Sequence, residues 1–182
     1  MEFMIDWETF MLDFHDEKIL RVYRHKKTFT PYEQDRKFID ERIMDEIGDY
    51  KDAKYFIRKD ESLFPEYSMQ LVIKYDEEIF LKEKERLESA YTYLDKPQKL
   101  DVDKDVYTIP IEEFSFAGFD FKIAVFEDTN YPKNFGMVGV SDEKCEIAYL
   151  WIYAVDLDYI CEADENEIKA MSEFMEYHFS LE

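Results

Sequence analysis

Asp101, Asp103, Asp105 and Glu112 stand at positions 1, 3, 5 and 12 of a twelve-residue window. This is the spacing with which a calcium-binding loop gathers oxygen ligands around a hard cation. Such a loop needs glycine at its sixth position for the sharp turn, and here that position is Val106, with Pro110 also inside the window. A second window, Asp156, Asp158, Glu162, Asp164 and Glu167, has Ile160 and Cys161 at its fifth and sixth places. Both windows therefore predict weak, salt-sensitive cation binding and no discrete metal site. His15, His25 and His178 form no i, i+4 pair that would hold zinc. Gly48, Gly118, Gly136 and Gly139 are the only glycines, so no glycine-rich loop exists to cradle a phosphate. Cys145 and Cys161 lack metal-ligand spacing and read as reduced thiols. No cofactor is expected.

Asp120-Phe121-Lys122, with Glu112 and Glu113 upstream, resembles the Asp/Glu-x-Lys element of a family of metal-dependent nucleases. The resemblance implies carboxylates that hold Mg²⁺ and a lysine that positions the attacking water. It rests on those few residues alone. The alternation of Phe119, Phe121 and Ile123 with Asp120 and Lys122 also fits a strand whose polar side simply faces solvent.

The remaining constellation is the acid itself. The formal net charge is −21, and it is unevenly spread. Residues 1–27 carry net −1 and residues 28–99 net −5, whereas residues 100–182 carry 5 basic and 20 acidic side chains, net −15. A field of this sign repels nucleic acid and anionic membrane and steers basic partners in. Carboxylates at alternate strand positions recur every ~6.5–7 Å, which is the scale of phosphates along a DNA strand. The densest set is Glu143, Glu146, Asp156, Asp158, Glu162, Asp164, Glu165 and Glu167. These residues are the expected partner-binding acidic face. Lys18, Arg21, Arg24, His25, Lys26 and Lys27 form the one basic cluster, suited either to an anion or to pairing with the protein's own carboxylates.

Several elements must position these groups. From Ile147 to Val155 the chain is uncharged and has large residues on both parities, which predicts a central strand covered on both faces. Phe119–Val125 and Phe135–Val140 predict two further strands, and Ser141–Lys144 a hairpin turn into the central one. Tyr107, Ile109 and Ile111 predict an edge strand, because Pro110 cannot donate to a ladder. Tyr67–Tyr75 alternates as a half-buried strand, while Tyr55–Ile57 is left unassigned. Helices are expected from Asp6, over residues 30–48, from Asp76 to about Leu94, and from Asp164. The 30–48 helix has Thr30 and Glu33 as a capping box, Pro31 in its first turn and Gly48 at its end. The last helix should turn Ile168, Met171, Met175 and His178 inward.

The fold class is thus α+β: an antiparallel β-meander, about 107–155, with an adjoining strand near 67–75, packed against N-terminal and C-terminal helices. One domain over 1–182 is expected. It can be subdivided into a mainly helical part, 1–95, and an acidic meander with C-terminal helix, 106–182. Acidic residues among the first twenty argue against a signal peptide, and the longest uncharged run is too short to span a bilayer. A cytoplasmic, soluble protein is expected.

In charge and size the chain resembles the small acidic inhibitor proteins encoded by phages, which include DNA mimics and anti-CRISPR proteins, and also the acidic immunity proteins that neutralise nuclease toxins. The resemblance implies a non-enzymatic inhibitor. Its partner would be a basic nucleic-acid-binding protein, such as a nuclease or CRISPR effector, with no direct contact to nucleic acid or membrane. Tyr149, Tyr153 and Tyr159 would supply the apolar contacts that charge alone lacks. The alternatives are a metal-dependent hydrolase using Asp120, Lys122 and Glu112 or Glu113, and a structural or assembly domain.

Overall fold

A computed structural model describes residues 18–23, 49–60, 66–101, 106–126 and 129–181. The expected helices from Asp6 and over 30–48 lie outside the described residues, as do Asp103, Asp105 and the cluster residues from Arg24 to Lys27. In chain order the elements are β1 (Lys18–Tyr23), β2 (Asp52–Asp60), β3 (Glu66–Lys74), α1 (Glu77–Ala90), β4 (Thr92–Tyr93), β5 (Gln98–Asp101) and β6 (Val106–Ile109). They continue with β7 (Glu113–Phe116), β8 (Phe119–Val125), β9 (Asn134–Ser141), β10 (Glu146–Ala154) and α2 (Glu167–His178).

The uncharged run becomes β10, and it is central. The main sheet runs β1-β2-β3-β10-β9-β8-β4, with β7 also on β8. Every pairing is antiparallel. β10 pairs with β3 from Glu146 opposite Lys74 to Ala154 opposite Glu66, and on its other side with β9. The meander within this sheet starts at β7, because β6 pairs with β5 in a separate two-stranded sheet. β2 contains the stretch whose sequence gave no assignment. The fold is α+β, as the alternation patterns predict.

The two parities of β10 build two cores. Ile147 and Tyr149 pack with Met69, Leu71 and Ile73 of β3 under Phe80 and Leu87 of α1. Ala148, Leu150 and Ile152 pack on the opposite face with Phe121, Phe135 and Met137 beneath Met171, Phe174 and Met175 of α2. One helix therefore covers each face of the sheet, which is why β10 tolerates no charge between its ends. Gly139 stands in register with both Phe121 and Ala148. A Cβ there would overlap the Phe121 ring, so the glycine at 139 makes room for that ring.

Helix α1 ends at Ala90, short of the expected Leu94. Tyr91 is already extended, and Thr92–Tyr93 pairs with Val125 and Ala124 at the sheet edge instead. Strand pairing thus overrides a helical periodicity that would have continued. The Glu78–Lys82 pair forms as the spacing predicts, at 2.7 Å. Helix α2 begins at Glu167 rather than Asp164. Its cap is Asn166, whose side chain accepts a hydrogen bond from the Lys169 backbone N–H at 2.9 Å. Ala170, Met171, Phe174, Met175 and His178 are its buried residues, while Ile168, expected inside, is 67% exposed.

The even residues of β3 depart from a half-buried strand in an instructive way. Ser68 and Gln70 are buried although polar. The chain after α2 crosses over them: Ser68 Oγ donates to the His178 carbonyl at 2.7 Å, and Gln70 exchanges two 2.9 Å hydrogen bonds with the Ser180 backbone. Beside this seam Arg58 Nη1 meets Glu66 Oε1 at 2.6 Å, and the buried His178 Nδ1 stands 3.2 Å from the same oxygen. Burial holds the His178 imidazole below its ordinary pKa; the Glu66 carboxylate opposes this, and the Arg58 guanidinium adds to it.

That shift has a consequence for stability. The unfolded chain takes up the proton more readily than the fold, so this contribution is complete above about pH 6.5 and declines as pH falls toward the folded value. Urea unfolding at pH 7.5 and 5.5 should show the wild type losing more stability on acidification than His178→Gln. Equal losses would remove His178 from the account.

Candidate functional site

Strand β10 separates the expected acidic face into two groups. At its start, Glu143 lies exposed in the β9–β10 turn, and Glu146 is half-buried with Lys74 Nζ at 3.8 Å. At its end, the chain leaves the sheet into the segment that carries Asp156, Asp158, Glu162, Asp164, Glu165 and Glu167. The strand between them spans roughly 27 Å at its usual rise per residue. Glu143 and Glu146 therefore do not share a contiguous face with the other six, which the sequence alone had grouped together.

The six carboxylates do share one place. Asp156, Asp158, Glu162, Asp164 and Glu165 are exposed and Glu167 is half-buried. No basic residue occurs between Val155 and Ile168. Among the described residues only Asp158 has a cation in range, Lys133 Nζ at 3.1 Å. Glu165 Oε2 accepts the Glu162 backbone N–H at 3.1 Å, which folds the segment back on itself just before α2. Between the acids stand apolar side chains that solvent reaches: Val155 is 39%, Tyr159 44% and Ile168 67% exposed. Tyr153, near the end of β10, is also exposed, but Tyr149 is fully buried under α1 and cannot meet a partner. Cys161 is the inward anchor of the segment. Burial first, then the charges of Glu167, Glu165 and Glu162, push its thiol up to about 11, which keeps it protonated at neutral pH.

No protein family, curated protein or solved structure matches this chain. The site is therefore read from its own chemistry.

A second feature lies on the α1 face, toward the other end of the sheet. A cleft of about 490 Å³ opens between α1, β7 and β8, with Leu87, Val138 and Val140 among its apolar walls. Glu113 stands directly opposite Lys122 across the β7–β8 ladder, and Ser115 opposite Asp120. The sequence-predicted Glu113, Asp120 and Lys122 are thus brought onto one wall. Glu112 is half-buried beside them, its carbonyl accepting the Ile123 N–H at 3.1 Å. The helix adds Lys84 and Glu88, and the β9–β10 turn adds Asp142; none of these was singled out from sequence. The only signal in the sequence was the i, i+4 relation of Lys84 and Glu88, one helical turn apart on either side of the buried Leu87. Lys84 Nζ contacts both oxygens of Asp142 at 2.6 and 2.7 Å, and Lys122 Nζ meets Glu88 at 3.2 Å with the Tyr93 ring 5.2 Å away. Among the described residues no group of three or more His, Cys, Asp or Glu is placed to hold a metal ion. No helix among them is long and apolar enough to cross a membrane.

Proposed function

We propose that this protein is a non-enzymatic inhibitor, acting in the cytoplasm, that binds a basic nucleic-acid-handling protein and occupies its nucleic-acid-binding surface. One observation carries the reading: six carboxylates, five without a cation in range among the described residues, interleave with exposed Val155, Tyr159 and Ile168. Carboxylates left unpaired on the surface remain available to an incoming basic groove, and the apolar side chains between them supply contact area that charge cannot. The burial of Tyr149 narrows the aromatic contacts to Tyr153 and Tyr159. A nuclease toxin and a CRISPR effector both present the kind of basic surface this segment fits, so both remain within the partner class. The test is association with a captured partner in the presence of competing nucleic acid.

A second reading, metal-dependent hydrolysis, draws on the shared wall of Glu113, Asp120 and Lys122. A polyanionic substrate would have to approach against the charge of the whole chain. We expect no cleavage of DNA or RNA above background with Mg²⁺ or Mn²⁺. Metal-dependent cleavage by the wild type that disappears in Lys122→Ala would replace the inhibitor reading.

A further inference from the structure

The chain beyond α2 is fastened across the polar strip of β3 by few contacts. Ser68 Oγ donates to the His178 carbonyl, and Gln70 holds the Ser180 backbone in both directions. Phe179 is buried in the α2-face core, and Leu181 packs against it half-buried. We infer that residues 179–181 form a pH-sensitive strap latched by His178, docked on β3 while the imidazole is neutral and released when it takes up a proton. This does not depend on the inhibitor reading.

The surroundings of His178 make it the latch. Its side chain is 5% exposed, and Nδ1 makes no hydrogen bond although Glu66 Oε1 stands 3.2 Å away. That oxygen already accepts a 2.6 Å hydrogen bond from Arg58 Nη1, and the Arg58 guanidinium lies 3.8 Å over the Tyr177 ring. The Phe174 and Tyr177 rings enclose the imidazole, with centroids at 4.4 and 4.8 Å. Among the described residues the charged groups facing it are Glu66 of β3 and Arg58 of β2, while α2 and the strap add only Phe174, Tyr177 and Phe179. With a neutral imidazole, one carboxylate balances one guanidinium. A proton on His178 divides that carboxylate between two cations and leaves a net positive charge in an enclosed site.

In the open strap the imidazole is in water, with its ordinary pKa of about 6.5. Docked, burial holds it lower. Below about pH 6.5 the open form therefore binds a proton that the docked form refuses, and one proton favours opening by at most about tenfold per pH unit. The bonds from Ser68 and Gln70 do not titrate, so they break only as a consequence. Opening also frays the last turn of α2, where the Phe179 N–H donates to the Met175 carbonyl at 3.0 Å. It bares Ser68, Gln70 and the core edge beneath Phe179.

The test is amide hydrogen exchange and imidazole titration by NMR on the full chain between pH 7.5 and 5.5, with exchange corrected for its intrinsic rate at each pH. The Ser180 N–H, which donates to Gln70 Oε1, reports the strap. Leu150, on the central strand, reports global unfolding. Ser180 should exchange at least about a hundredfold faster than Leu150, as a local opening requires. Its corrected rate should rise severalfold on acidification, in step with a His178 titration below the ordinary value. His178→Gln should abolish the rise. Arg58→Gln frees the Glu66 carboxylate for the imidazole, so it should move the His178 titration to higher pH and flatten the rise. Should His178→Gln fail to fold, the wild-type titration and Arg58→Gln carry the test. Ser180 exchanging as slowly as Leu150, a corrected rate indifferent to pH, an equal rise in His178→Gln, or a His178 titration at or above the ordinary value would each overturn the latch.

Discussion

Replacing Leu150 by alanine is expected to cost the fold about 2–5 kcal/mol, the range for a large aliphatic side chain removed from a packed interior. Leu150 has no exposed surface and sits on the central strand, in register with Gln70 on one side and Met137 on the other. Strands hold it on both flanks and α2 covers its face, so the surroundings have little freedom to collapse into the cavity. Urea unfolding should show a lower midpoint with an unchanged slope. Asp156→Asn, exposed just beyond the same strand, should stay within about 0.5 kcal/mol of wild type. A Leu150→Ala variant as stable as wild type would mean that β10 is not the centre of the core.

The largest functional effect is expected from neutralising Asp156, Asp158, Glu162 and Glu165 to Asn or Gln. Steered association exceeds unsteered by about 10- to 1,000-fold, so the variant should bind its partner roughly 10- to 100-fold more slowly at low ionic strength. The difference should shrink as salt rises and the Debye length falls to ~8 Å. The dissociation rate should change little. Tyr159→Ala removes apolar contact instead of charge and should act mainly by speeding dissociation. All four acids are exposed, so the variant should remain folded, and reduced self-repulsion should make it at least as stable as wild type.

Much of the architecture was legible because burial leaves periodicity behind. Ile147, Tyr149, Leu150 and Ile152 occupy both parities of one uncharged run, and only a strand covered on both faces accommodates that. Phe119, Phe121 and Ile123 fix β8 in the same way. Tertiary contacts account for what the pattern concealed. Ser68 and Gln70 look like a solvent face until His178 and Ser180 cross above them, far away in the chain. The end of α1 was lost to an edge pairing with β8. Tyr149 belongs to the core because a strand covered on both faces has no outer side there.

The candidate site was legible in composition but not in grouping. A count of acids cannot distinguish the two ends of β10, and so it joined Glu143 and Glu146 to a segment a strand's length away. Glu113, Asp120 and Lys122 were found through a short pattern, yet Lys84, Glu88 and Asp142 reach the same cleft only through the packing of α1 on the sheet.

The most direct test of the central claim is competition. A partner captured by the wild type, and lost with the four-residue variant, is titrated with this protein in the presence of increasing duplex or single-stranded nucleic acid. The inhibitor account predicts mutual exclusion: nucleic acid displaces the protein, the protein displaces nucleic acid, and the four substitutions shift both curves. Binding that is indifferent to saturating nucleic acid and to the substitutions would contradict it, and would leave the acidic segment as a solvated surface.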